Sequence, residues 1–206
     1  MTLWVLLVGS VAFAATAIFG PWARRSAISK RLRSGSLAIA DRASVTVFGT
    51  IRESTTSLEA PLSGRACLLF HAHAELPELD PTGEGEFVVH TTRRMVPFEL
   101  DTPSGVVFVD ATEADVDIKP TGIPERDAER ERAFLVGHGR GPEVARVAVF
   151  REVVLSPGMR VAVHGVALVE EDPNAERGYR DAAPTRTRIV AHASYPLAIG
   201  RAPKSL

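Results

Sequence analysis

The chain has 206 residues, 45% of them hydrophobic, with 24 Lys and Arg against 25 Asp and Glu, one Cys and a net charge of −1. Five of the basic residues lie before residue 41 and no acidic residue does, so the rest of the chain carries a net charge of −6. A body of that sign does not attract phosphate backbones, so no nucleic-acid partner is expected.

Residues 3–19 are apolar and hold no charged residue, and the apolar character continues to Trp22. About 20 such residues suffice for a helix to cross the hydrocarbon core, where it satisfies its own backbone hydrogen bonds. Trp4 and Trp22 suit the two membrane–water interfaces, and Pro21 ends or kinks the helix at the surface. Arg24, Arg25, Lys30, Arg31 and Arg33 follow at once. A cleaved secretory signal is the rival reading, because Ala12, Ala14, Ala15 and Ala17 resemble the small residues of a cleavage site. The apolar run has no basic residue before it and a basic cluster after it, which favours an uncleaved anchor. The expected organisation is a transmembrane anchor over 1–22, a basic juxtamembrane linker over 23–43, a domain over 44–200 and a tail over 201–206. The amino terminus would lie outside and the domain in the cytoplasm. The basic cluster would also favour anionic lipid headgroups, at roughly 1 kcal/mol per charge near the surface.

Beyond Ala43 the pattern changes to short β-type runs separated by Gly, Pro and Asp. Strands are expected at 44–52, where Val45, Val47, Gly49 and Ile51 share a face, and at 66–75, 86–93, 96–100 and 105–111. Longer runs at 143–155 and 160–170, parted by Ser156-Pro157-Gly158, read as a hairpin. Residues 186–193 and 196–200 close the domain. One stretch favours a helix, residues 124–136, with Pro124 in the first turn and Glu125 and Asp127 near the positive end of its dipole. Residues 76–85 and 171–185 read as mobile loops. The fold class is mainly β: a curled sheet or small β-barrel-like domain with one short helix.

Few residues point to chemistry. His71 and His73, two apart on a strand, face the same side and are the candidates for a zinc site, with His90, His138 or His192 as a third ligand. Gly137-His138-Gly139-Arg140-Gly141 follows a helix instead of opening one, so it is not a phosphate cradle. Cys67 lies in an apolar run and reads as a buried structural thiol in a reducing compartment. No catalytic residue and no cofactor is expected.

An ordered set of motifs organises the rest: Val47-Phe48-Gly49-Thr50-Ile51, Leu58-Glu59-Ala60-Pro61-Leu62-Ser63-Gly64-Arg65-Ala66-Cys67, Val96-Pro97-Phe98-Glu99-Leu100-Asp101, Gly105-Val106-Val107-Phe108-Val109-Asp110, Arg151-Glu152-Val153-Val154-Leu155-Ser156-Pro157-Gly158 and Val161-Ala162-Val163-His164-Gly165. Over about residues 45–170 this set resembles the GIDE domain, also called BAM for "beside a membrane", best known from a mitochondrial membrane E3 ubiquitin ligase. Each motif also has a folding role. Pro61 and Gly64 make a rigid turn, Phe98 is an apolar anchor, Asp101 to Gly105 is a turn in which the Asp101 carboxylate can accept nearby backbone N–H bonds, and Gly165 suits a bulge or the close approach of another strand. The eukaryotic ligase has a second span and a RING finger after this domain, and this sequence contains neither. The resemblance therefore implies a membrane-side domain that handles partners, without the ligase activity.

The expected function is a membrane-anchored, non-enzymatic interaction or scaffold module that binds lipid through its anchor and a protein through a sheet edge or the 76–85 loop. The alternatives are an accessory protein that works with a separate RING ligase, and a metal-dependent hydrolase centred on His71 and His73.

Overall fold

The computed structural model describes residues 29–33, 39–79, 85–123, 125–173 and 184–203. The expected anchor over 1–22 lies outside the described residues; among those described, no helix is long and apolar enough to cross a membrane. In chain order the strands are β1 (Ser44–Ile51), β2 (Leu58–Glu59), β3 (Ala66–Cys67), β4 (Leu69–Leu79), β5 (Gly85–Met95), β6 (Phe98–Thr102), β7 (Gly105–Val109), β8 (Asp115–Asp117), β9 (Thr121–Gly122), β10 (Val149–Leu155), β11 (Arg160–Glu171), β12 (Thr185–Val190) and β13 (Ala198–Arg201). A helix, Ala128–Gly137, and a 3-10 turn, Pro142–Arg146, lie between β9 and β10.

The chain is mainly β and is built on a closed five-stranded barrel, β1-β6-β7-β12-β11, with β11 pairing back to β1. Neighbours run antiparallel except β7 and β12, which are parallel. Numbered within the barrel, the order is 1-2-3-5-4-1, the Greek-key closure of OB-type barrels. The period of two dictates its filling: Val45, Val47 and Ile51 of β1 point inward with Phe98, Leu100, Val107, Val109, Val161, Val163, Ala167 and Ile189.

β11 holds the barrel together. One edge pairs with β1 from Arg160 to Val166, while the other pairs first with β13 (161–164) and then with β12 (166–171). Gly165 sits at the change of partner. A Cβ there would lie 2.7 Å from Ile189 Cγ2, 2.8 Å from Leu197 Cδ1 and 2.9 Å from the Val190 carbonyl oxygen, so β12 does approach closely here and a larger residue would force a shift of its backbone.

Two long insertions leave the barrel. The first, between β1 and β6, contributes β4 and β5; the second, between β7 and β11, contributes β9, the helix and β10. They share a second sheet, β5-β4-β10-β9. Its inner face carries Phe70, Ala72, Ala74 and Leu76, which pack with Phe134, Leu135 and Phe150 into a second core.

Several expectations are corrected. The run over 66–75 is broken at Leu68, whose N–H donates to the Leu155 carbonyl (2.8 Å) and whose carbonyl accepts from Val96 N–H (2.9 Å). Residues 76–79 and 85 are not loop: Leu76 pairs with Val88 and Leu79 with Gly85. Residues 142–146 form the 3-10 turn, and β10 and β11 are not a hairpin. The Ser156-Pro157-Gly158 turn carries the chain from one sheet to the other, with Gly158 N–H donating to the Ile51 carbonyl (2.8 Å) and Ile51 N–H to the Met159 carbonyl (3.0 Å). The helix starts at Ala128, because the Asp127 carboxylate accepts from the free N–H groups of Glu129 and Arg130. Pro124 lies outside the described residues. The helix does dock by its later residues, Phe134 and Leu135, and its buried Glu131 is held by a two-pronged bond from Arg126 (2.6 and 2.8 Å).

Candidate functional site

Two of the motifs, Leu58 to Cys67 and Arg151 to Gly158, meet at one buried carboxylate. Pro61, Leu62 and Ser63 form the turn between β2 and β3, and Glu152 of β10 lies beneath it. Glu152 Oε1 accepts from Leu62 N–H (3.0 Å) and Oε2 from Ser63 N–H (3.2 Å). Glu152 is only 6% exposed, and Ala60 and Leu62 are fully buried beside it. Gly64 has a φ of +67°, and a Cβ there would lie 2.8 Å from the Arg130 guanidinium. Arg130 in turn pairs with Glu59 (2.7 Å). The turn is thus tied to the second sheet by Glu152 and to the helix by Arg130. Cys67 is buried next to it, its Sγ donating to the Leu58 carbonyl at 3.7 Å. Burial, with the negative charge of Glu152 adding to it, pushes the thiol up to about 11, so it stays protonated at neutral pH.

The remaining motif residues sit at the barrel. Phe98 is an interior anchor just after Pro97. Gly105 closes the β6–β7 turn with a φ of +110°. Asp101 is not the turn's acceptor: it faces Arg52 (3.4 Å), and Thr102 Oγ1 accepts Ser104 N–H (3.2 Å) and donates to the Gly105 carbonyl (2.6 Å). Asp110 accepts from Thr112 Oγ1 (2.7 Å) and from Arg188, and these bonds hold its carboxyl below the usual range. Arg188 also lies 3.7 Å from Glu170, which pairs with Arg186 (2.6 Å), so an ionic row crosses the parallel closure of the barrel.

His71 and His73 do share a face of β4, with ring centroids 4.0 Å apart. The proposed third ligands do not join them. His90 Nε2 accepts from Arg140 (3.0 Å), His138 is bonded to Thr92 Oγ1 (3.0 Å) and the Phe134 carbonyl (2.8 Å), and His192 sits in a bridge with Tyr195. Among the described residues no three His, Cys, Asp or Glu side chains converge as a metal set. The neighbours of the pair are cationic: burial first, then the charges of His73 and Arg93, bring His71 down to about 4.

Two exposed features remain. β5 is an edge strand of eleven residues that among the described strands pairs with β4 alone, with His138 Nε2 3.4 Å from its Thr91 carbonyl. On the outer face of its sheet Val89 and Val149, both about half exposed, flank Glu75 from either side, and Glu75 pairs with Arg151. The second feature is the linker. Arg24 and Arg25 lie outside the described residues, but residues 29–33 form a short helical segment on the outer wall of the barrel. Leu32 is buried against Ala162 and Ala198, Thr46 Oγ1 donates to the Arg31 carbonyl (3.0 Å), and Ser29 Oγ bonds to Asp117. With the Thr46 proton committed to Arg31, the buried His164 donates from Nδ1 to Thr46 Oγ1 (2.8 Å) and is neutral. Burial and then the Arg31 charge lower its pKa.

Comparison with protein-family models, with characterised proteins and with solved structures finds no match for this chain. Sequence reasoning missed the tying role of Arg130 and the edge position of β5, since no local pattern records which strands pair or what a distant side chain covers.

Two predictions follow from this geometry. Replacing Glu152 by Ala leaves two N–H groups without their acceptor beneath the turn and should destabilise the fold by about 2–3 kcal/mol. Glu152→Gln, with one acceptor oxygen left, should cost less; urea unfolding of the two variants measures both. For His71 the folded value of about 4 lies below the ordinary 6.5. The unfolded chain therefore takes up a proton between these values that the fold refuses, and stability falls as pH drops from 6.5 toward 4. NMR titration should find the His71 ring neutral at pH 5. His71→Gln should flatten part of the acid slope, the rest belonging to groups such as His164.

Proposed function

We propose that the chain is a membrane-tethered, non-catalytic binding module whose barrel and second sheet present a contact surface to a protein partner on the cytoplasmic side. The observation that carries the reading is the seat of residues 29–33 on the barrel. A basic segment that directly follows an apolar run of spanning length is packed into the domain through Leu32, the Arg31 carbonyl and Ser29. The anchor would then hold the body in one orientation at the lipid surface. The contact surface would be the open edge of β5 with the face around Val89 and Val149. An extended peptide added there gains main-chain hydrogen bonds along up to eleven residues, and the half-exposed valines give it an apolar footing. The motif set that resembles the GIDE/BAM domain supports the same reading. No observation on the described residues favours the RING-accessory or metallohydrolase readings over it.

The test uses the full chain in its native membrane. The protein should stay with the membrane after alkaline carbonate extraction, and a photocrosslinking residue in place of Val89 should give a discrete protein adduct that the same residue at Val106, exposed on the barrel, does not. A chain released by carbonate, or adducts equal at the two positions, would contradict the proposal.

A further inference from the structure

Two adjoining hollows lie where the helical segment 29–33, the end of β8, the end of β13 and the turn before β3 meet. The larger, about 330 Å³, runs between residues 29–33 and the β8–β13 edge; the smaller, about 160 Å³, continues beneath the Ser63–Arg65 turn. They share Ile118, Lys119 and Arg201 as a common wall. The parallel pairing of β13 with β8, Gly200 opposite Asp117, brings the strand ends that carry Arg201 and Lys119 to one wall.

The groove is lined by four basic side chains and two acidic ones. Arg33 enters it from the helical segment, Arg65 from the turn, and Lys119 and Arg201 from the shared wall. All four are exposed, and among the described residues none has an ion-pair partner. The two acids that line the groove are already engaged, Asp117 by the Ser29 hydroxyl and Glu152 by the Leu62 and Ser63 N–H groups. At the inner end the Ser63 hydroxyl oxygen is buried and among the described residues has no hydrogen-bond partner. Four cations of like sign, brought together from four separate elements, repel one another at a cost to the fold. An anion with several acceptor oxygens relieves that repulsion and satisfies the serine.

We propose that this groove binds a phosphate-bearing anion, with Lys119 and Arg201 at its centre, Arg33 and Arg65 at its two ends and Ser63 donating to a phosphate oxygen. A phosphoryl group suits it better than a carboxylate, because its three terminal oxygens can meet donors from several directions at once. The ligand is either a free phosphate compound or a phospholipid headgroup. The second source rests on the membrane tether proposed above, residues 29–33 on this side of the barrel being the described residues that come next after the expected anchor; the first does not.

The test uses the full chain. In detergent, inorganic pyrophosphate and glycerol 3-phosphate are titrated while the thermal midpoint and acylation of the Lys119 amine are followed. In nanodiscs, phosphatidylcholine alone is compared with phosphatidylcholine containing phosphatidic acid. Protection of Lys119 by a soluble probe identifies a free ligand, and protection only in the anionic nanodisc identifies a headgroup. In either case the Lys119→Ala/Arg201→Ala variant should need about tenfold more ligand or more for the same rise in midpoint, Ser63→Ala should weaken binding less, and Arg94→Ala on β5, which does not line the groove, should leave it unchanged. The midpoint of each variant without ligand shows that it is folded. Failure of every probe to protect Lys119, or equal binding by the double variant, overturns the proposal. The detergent arm decides for a free ligand even if the chain proves not to be membrane-held.

Discussion

The structure depends on one strand being paired on both sides. β11 closes the barrel against β1 along one edge and divides its other edge between β13 and β12. That division requires a residue without a side chain at position 165, because Ile189 and Leu197 close over it. Once β11 is in register, alternation sends Val161, Val163 and Ala167 inward, and the interior fills from all five strands. The outward residues of the same strand, Ala162 and His164, form the seat for residues 29–33 through Leu32 and Thr46. Barrel closure and linker docking are therefore two faces of one register.

The second sheet is tied to this centre by the chain itself, and Glu152 ties the β2–β3 turn to that sheet. β4 comes from one barrel insertion and β10 from the other, so neither insertion can hold its fold without its partner. Glu152 adds a bond of a different kind, anchoring the turn before β3 through two buried amides. A buried carboxylate that accepts two N–H bonds is well solvated by the protein itself and still costly to remove. The result is a body whose parts are mutually dependent.

Much of the barrel was legible in the sequence because period-two alternation is a local signal. Val45, Val47 and Ile51 announce an inward face, and Gly165 between Val163 and Val166 announces a crowded one. What was not legible is who pairs with whom. The Ser156-Pro157-Gly158 turn looks like a hairpin turn, yet its bonds go to Ile51 at the end of β1, and the strands on either side belong to different sheets. Pro124 is a good first-turn residue by type, whereas Asp127 can satisfy two amides at once and fixes the helix start at Ala128, four residues later than expected. For the candidate surfaces the sequence held less still. Glu152 stands in a strand pattern that would ordinarily face water, and the groove cations are spread from residue 33 to residue 201. Asp101 illustrates the opposite error: a carboxylate before a turn is a plausible acceptor, but a cationic neighbour on the adjacent loop, Arg52, claims it.

Everything proposed for the protein, from the fixed tether to the groove, rests on β11 being the last element to let go. Amide hydrogen exchange of the full chain, resolved by peptide, tests this most directly. The account predicts that β1 and β11 exchange slowest and together, at the rate of global unfolding, while the outer edge of β5 exchanges well before them. Exchange of β11 as fast as that of β5 would contradict it.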